Sequence, residues 1–272
     1  MPVWGTVLII FGAALAFFLI CVLCVYLSGF RYIICSRADN AKVKFVGKVE
    51  KGGLPVYGTV YYPDGSRAKI RKGTGLLEYS NGNIYEGALT VAFERTGEWK
   101  LLLSNGEKYE GTFDRDEISG RGTYYFINGD VYTGDFVRSV MDGTGTYTYA
   151  GGETYTGGFS KGVRHGNGTM TKPDGSSYTG AYNMGVKEGK GRYVYSNGDV
   201  FEGDFLRDMR HGSGKYVWSN GESYEGEFRN NAINGYGTYN WTDGRASYTG
   251  YFENGQIVIH DPVADTNDIP AG

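Results

Sequence analysis

Residues 224–244 read YEGEFRNNAINGYGTYNWTDG. Aromatic residues alternate with glycine, and aliphatic side chains are almost missing. Tyr224, Gly226 and Phe228 fall at period 2, so they share one face of a strand, with Glu225 and Glu227 on the other. The segment RNNAING after Phe228 reads as a polar connection. A second strand then starts at Gly235 and places Tyr239 and Trp241 on one face and Thr238 and Asn240 on the other. Asp243-Gly244 closes the unit with a hairpin-turn dipeptide.

The unit recurs. The pattern Tyr-x-Gly-x-Phe, with small variations, starts at Tyr85, Tyr109, Tyr132, Tyr155, Tyr178, Phe201, Tyr224 and Tyr248, at spacings of 23 or 24 residues. A fixed period of this size means a repeat array with one supersecondary unit per period. Each copy ends on a turn pair such as Asn105-Gly106, Asn128-Gly129 or Asp174-Gly175, residues that tolerate the positive φ of type I′ turns. The expected fold is all-β: an elongated, twisted, single antiparallel meander of hairpins. With strands about 4.8 Å apart, eight repeats extend on the order of 75 Å. Glycine weakens a strand unless another group lies across its backbone. The expected packing therefore sets Gly111 beside Tyr109 and Phe113, Gly134 beside Tyr132 and Phe136, Gly157 beside Tyr155 and Phe159, and Gly226 beside Tyr224 and Phe228, with Tyr239 and Trp241 on the same face. The array is read over 56–260, as about eight repeats, a partial one at Gly58–Gly65 and a cap strand near Gln256–Ile259; residues 261–272 read as a tail.

The first 30 residues carry no charged side chain, and the apolar run from Val3 to Tyr26 is long enough for a membrane helix, which needs about 20 residues. Trp4 and Tyr26 sit where interfacial aromatics belong. A cleaved signal peptide would need a basic start, a shorter core and a small-residue cleavage site, and none is evident. A retained span is thus expected over 3–29, followed by a basic juxtamembrane linker over 30–55. Residues 31–72 hold 10 Lys/Arg against 3 Asp/Glu, whereas residues 73–272 hold 17 against 27. The positive-inside rule then puts the array on the cytosolic side, or on the matrix side of a mitochondrial inner membrane. Arg31, Arg37, Lys42, Lys44, Lys48 and Lys51 are candidate contacts for anionic lipid, and they equally serve as the positive flank that fixes topology. Cys35 is a candidate for lipidation. Cys21 and Cys24 lie within the apolar run and read as small apolar residues rather than a metal pair, and Gly12 and Ala16 offer a small face for another helix.

Nothing in the array reads as catalytic. His165 and His211 occupy one repeat slot 46 residues apart, about 19 Å by strand spacing, too far to share a metal. Glu86 with Glu110, and Glu202 with Glu225, are repeat neighbours about 9.6 Å apart on the solvated face. No catalytic, metal or cofactor residues are assigned, and no cofactor is expected. The acidic balance of 73–272 argues against nucleic acid.

The unit Tyr-Glu-Gly-Glu-Phe, followed by His-Gly-x-Gly at His211–Gly214 and at His165–Gly168 and then by Tyr and Asn-Gly, resembles the MORN (membrane occupation and recognition nexus) repeat over about 57–255. Residues 85–106 depart most, with Leu89 for Phe and Gly97-Glu98-Trp99 for Gly-x-Gly. The resemblance implies a non-catalytic scaffold that binds proteins and, in several members, contacts phosphoinositides or membranes. Junctophilins are similar in joining an array to one span, although theirs is C-terminal. Three functions are therefore open: a membrane-anchored scaffold that recruits or braces proteins, a structural accessory subunit of a large membrane complex such as a respiratory complex, and a lipid-binding tether between membranes.

Overall fold

The computed structural model describes residues 28–37, 40–50, 53–71 and 76–259. They form 21 strands arranged as an all-β antiparallel meander, and among them no helix is long and apolar enough to cross a membrane. The span expected over 3–29 lies outside the described residues except for Ser28 and Gly29, which turn into the first strand. The expected tail at 261–272 also lies outside them.

Two compact units are present, one reaching residue 129 and including 135–140, the other made of 130–134 and the chain from 141. The first contains β1 (Phe30–Ser36), β2 (Lys42–Val49), β3 (Pro55–Tyr61), β4 (Arg67–Ile70), β5 (Leu76–Tyr79), β6 (Ile84–Leu89), β7 (Arg95–Leu102), β8 (Lys108–Asp114) and β9 (Glu117–Tyr125). Each pairs antiparallel with the next. Residues of β10 (Val131–Val137) and β11 (Val140–Thr148) belong to both units. The second continues through β12 (Thr154–Ser160), β13 (Val163–Thr171), β14 (Ser177–Asn183), β15 (Val186–Val194), β16 (Val200–Leu206), β17 (Met209–Val217), β18 (Ser223–Arg229), β19 (Ala232–Asn240), β20 (Tyr248–Glu253) and β21 (Gln256–Val258). Here too β11 to β21 pair in sequence order.

The stretch expected as a linker, 30–55, is instead sheet: β1, β2 and the first residue of β3. Alternation explains it. In Lys42–Val49 the odd positions Val43 and Phe45 are fully buried while Lys42 and Lys44 are exposed, the period-2 signature of a half-buried strand.

One face of each unit carries the rings. The tyrosine opening each repeat is fully buried at Tyr109, Tyr132, Tyr155 and Tyr224. It meets the closing ring of its own repeat and that of the next edge to face. Tyr155 lies 5.2 Å from Phe159 and 5.1 Å from Tyr182, and Tyr224 lies 5.3 Å from Phe228 and 5.1 Å from Phe252. Such pairs add about 0.5–1.5 kcal/mol each beyond buried area. The tyrosine ring also lies across paired glycines. A Cβ on Gly226 would fall 2.5 Å from the Gly237 Cα, 2.5 Å from the Tyr224 Oη and 2.6 Å from the Tyr236 carbonyl oxygen.

The turns exchange roles relative to expectation. The segment taken as a polar connection in each repeat is a two-residue type I′ hairpin with both φ angles positive: Arg115-Asp116, Met184-Gly185, Arg207-Asp208 and Asn230-Asn231 are examples. At Asn128-Gly129 and its equivalents only the glycine has positive φ, so these are type I turns closed by a left-handed glycine, with Gly129 N donating to the Phe126 carbonyl at 3.0 Å. The Asn or Asp serves instead as an acceptor for the amide two residues on, as Asn105 does for Glu107 and Asp174 for Ser176. The second strand of each repeat is also longer than expected and bulged. Between the pairs Gly203–Gly214 and Phe205–Arg210, three residues of β17 lie opposite Asp204 alone. Gly212 takes the left-handed φ of +69° there, and Ser213 N donates to the Asp204 carboxylate. The glycine of His-Gly-x-Gly is thus a bulge residue.

Candidate functional site

With rings on one face, the opposite face is left to present chemistry. In the second unit its central row runs in register across ten strands: Thr146, Thr156, Thr169, Thr179, Arg192, Glu202, Lys215, Glu225, Thr238 and Thr249. Threonine hydroxyls pair across strands at both ends, at 3.0 Å for Thr146–Thr156 and Thr169–Thr179 and 2.9 Å for Thr238–Thr249. The middle alternates in charge, and Lys215 Nζ lies 3.3 Å from the Glu225 carboxylate. The adjacent row on the same face places three valines, Val194, Val200 and Val217, beside these charges. On the other flank Lys190 pairs with Asp204 at 2.9 Å.

The middle of the row, from Thr179 to Glu225, together with Lys190, Val200 and Val217, lines a groove of about 890 Å³ running over five strands, β14 to β18. Its floor is backbone at Gly180, Gly191, Gly203, Gly214 and Gly226, whose missing side chains make room for rings on the other face. Its walls are Lys190, Arg192, Glu202, Lys215 and Glu225. Exposed ion pairs of this kind contribute little to folding, about 0–1 kcal/mol each. They are available to a ligand at small cost to the array. The groove is apolar along the valines and charged along the central row, a combination suited to a protein segment.

The pairs of carboxylates noted in sequence do not meet. Lys215 stands between Glu202 and Glu225, and Lys100 between Glu86 and Glu110. Lys108, 3.3 Å away, holds the Glu110 carboxyl below its usual range, helped by Lys100 at 3.5 Å. The interleaved lysines come from the second strand of each repeat, where no fixed motif marks them. His165 is exposed at the bulge of β13, and His211 occupies the same place in β17.

The basic residues near the N-terminus sort by strand alternation. Lys42, Lys44 and Lys48 point to the outward face of β2. Arg31, Cys35 and Arg37 are on the core side of β1, in register with Gly47 and Val43 or just past the strand end. The Arg31 guanidinium donates to the Phe30 carbonyl at 2.9 Å. Arg37 differs from the expected lipid contact because carboxylates already hold it: it pairs with Asp116, lies 3.8 Å from Glu94 and stacks over Tyr62. Arg95 shares Asp116 from the other side at 3.1 Å and covers Phe113. Burial, with Glu94 nearby, pushes the Cys35 thiol above its ordinary value. Lys51 lies outside the described residues.

On the ring face, the residues expected as core are split by depth. Tyr109, Phe113, Tyr132, Phe136, Tyr155, Phe159, Tyr224 and Phe228 are buried, whereas Tyr239 and Trp241 are half-buried at the rim. Tyrosines of the second strands spend their hydroxyls on acidic residues. Tyr216 donates to Asp199 at 2.6 Å, Tyr147 to Asp130 at 2.7 Å and Tyr239 to Glu222 at 2.8 Å. Burial and then the Glu222 hydrogen bond push Tyr239 up to about 12. The Tyr216 hydroxyl beside Asp199 holds its carboxyl below the usual range.

Stacked hairpins of this kind, with packing on one face and a patterned open face, define a tandem β-hairpin repeat protein. The MORN repeat profile matches six consecutive segments, 109–131, 132–154, 155–177, 178–200, 201–223 and 224–244, which together make up half of the 272 residues. The chain belongs to the MORN-repeat family. No curated protein matches it. Among solved structures it is similar to the SAS-4 (dCPAP) TCP domain of Drosophila melanogaster, in complex with a proline-rich motif of Ana2 (17% identity, TM-score 0.35, 65% of this chain and 93% of that one). It is also similar to the TCP10 domain of Danio rerio CPAP, in complex with a STIL peptide (12% identity, TM-score 0.38, 82% of this chain and all of that one). At these TM-scores neither likeness bears on what this chain does.

Proposed function

We propose that this protein is a non-catalytic scaffold anchored in a membrane by residues 3–29, whose array holds a segment of a partner protein in the groove over β14–β18 on the cytosolic or matrix side. The carrying observation is the groove itself. Two in-register valines, Val200 and Val217, lie in it beside an alternating row, Arg192, Glu202, Lys215 and Glu225, on the face that packing leaves free. Family membership supports the coarser statement, a repeat scaffold for interactions.

Site-directed photocrosslinking tests it in the full-length protein in its own membranes. A benzophenone side chain in place of Val200 is expected to trap one discrete protein, and the trapping is expected to fail in an Arg192→Glu, Lys215→Glu background. Trapping that ignores those reversals, or that yields only a smear of products, would overturn the groove as the binding site.

A further inference from the structure

Strands β1–β4 contain six Lys/Arg and no Asp or Glu. Five of the cations, Lys42, Lys44, Lys48, Arg67 and Lys69, lie on the outward face, and register connects them: Ile34 pairs Lys44, which pairs Tyr61, which pairs Arg67. Interleaved with them on the same face are large apolar side chains open to solvent: Tyr32 (64% exposed), Ile34 (56%), Tyr61 (43%) and Val46 (41%). The nearest carboxylate in that register, Glu78 on β5, is taken by Arg71 at 2.7 Å. This face differs from the groove of the second unit, where charges alternate. It also lies outside the six matched repeats, which begin at Tyr109.

We infer that the outward face of β1–β4 rests on an anionic membrane surface, its cations at the level of the lipid phosphates and its exposed rings and aliphatic groups in the interfacial layer. The inference builds on the anchor proposed above. Only three residues, Leu27 to Gly29, separate Tyr26, the end of the apolar run, from Phe30, the start of β1. Fully extended, the four steps from Tyr26 to Phe30 reach roughly 14 Å, so a spanning run leaves β1 within that distance of the bilayer surface. Cations and interfacial aromatics interleaved on a face with no acidic side chain complement an anionic leaflet. The uncharged segment 1–30 is a poorer occupant because it would cover five cations without a counter-charge.

The test uses the full-length protein with a benzophenone side chain in place of Tyr61, reconstituted in nanodiscs of phosphatidylcholine alone or mixed with phosphatidylserine. Lipid adducts are expected in the mixed discs, reduced about tenfold by Lys42→Glu with Lys44→Glu and reduced by high salt. Thermal melting of that double variant should match the parent, since both lysines are exposed. Equal labelling in the two lipids, no response to the charge reversals, or adducts to the chain's own N-terminal segment would overturn the docking. Carbonate extraction reports the anchor separately. Resistant protein without Tyr61 adducts refutes the docking and keeps the anchor; extractable protein that still labels phosphatidylserine vesicles refutes the anchor and keeps the face.

Discussion

Gly226 shows what one residue contributes. Its absent Cβ leaves room for the Tyr224 ring, and two of its three nearest neighbours are backbone atoms that cannot move aside. Overpacking a core costs about 1–3 kcal/mol when side chains can give way. Gly226→Ala should therefore cost at least about 3 kcal/mol, while Glu225→Gln next to it, on the open face, should stay within about 0.5 kcal/mol. Chemical denaturation of the two variants measures this, and equal effects would contradict the face assignment. Asp199 offers a second residue-scale prediction. Its carboxylate is buried and accepts from the Tyr216 hydroxyl and from Ser219 N at 2.8 Å. Its pKa is depressed in the folded protein, so its stabilisation is fully present above the ordinary aspartate value of about 3.9 and is lost as pH falls through the lower folded value. Asp199→Asn should lower stability at neutral pH by about 1–3 kcal/mol and flatten the acid limb of the pH–stability curve; an unchanged acid limb would show that Asp199 is not among its causes.

At the scale of the element, the hairpin β14–β15 turns on Met184-Gly185, with Met184 at φ +47° and 63% exposed. A left-handed methionine costs about 1–2 kcal/mol that asparagine tolerates better. Met184→Asn should therefore stabilise the protein by about 0.5–1 kcal/mol, read as a raised melting temperature; destabilisation would contradict the turn type. This turn also shows why part of the fold was hidden in the sequence. Tyr-x-Gly-x-Phe at fixed spacing made the first strand of each repeat and the antiparallel meander legible, because period-2 rings and a recurring glycine have few other uses. The tight turns at Arg115-Asp116 or Met184-Gly185 were not legible. Arg and Met carry no turn preference, and the register of a long array enforces their backbone. Asn-Gly located its turns correctly but suggested the wrong type, since the asparagine is retained for its side-chain acceptor. The candidate site was half visible. Glu202 and Glu225 were placed on the open face by alternation, but the lysine between them depends on cross-strand register. Arg37 looked like a free cation because Asp116, 79 positions away, is brought to it only by the fold.

At the scale of the molecule, the two faces of the second unit divide the work. Rings and glycines hold neighbouring repeats together, as expected of arrays stabilised by nearest-neighbour contacts, and the open face is free to vary its charges without unfolding the array. That separation is the central claim, and exchanging Lys215 and Glu225 tests it most directly. The double variant Lys215→Glu, Glu225→Lys keeps that cross-strand ion pair, and the carboxylate it sets opposite the exposed Glu202 costs only about 0.2–1 kcal/mol, so the fold is kept while the pattern shown to a partner is inverted. Full-length wild-type and exchanged proteins would be extracted from native membranes in mild detergent, and the mass and stoichiometry of what co-purifies measured. The account predicts one partner in fixed ratio with the wild type, lost from the exchanged protein while its melting temperature falls by no more than a few degrees. The same partner in the same ratio on both proteins would contradict it.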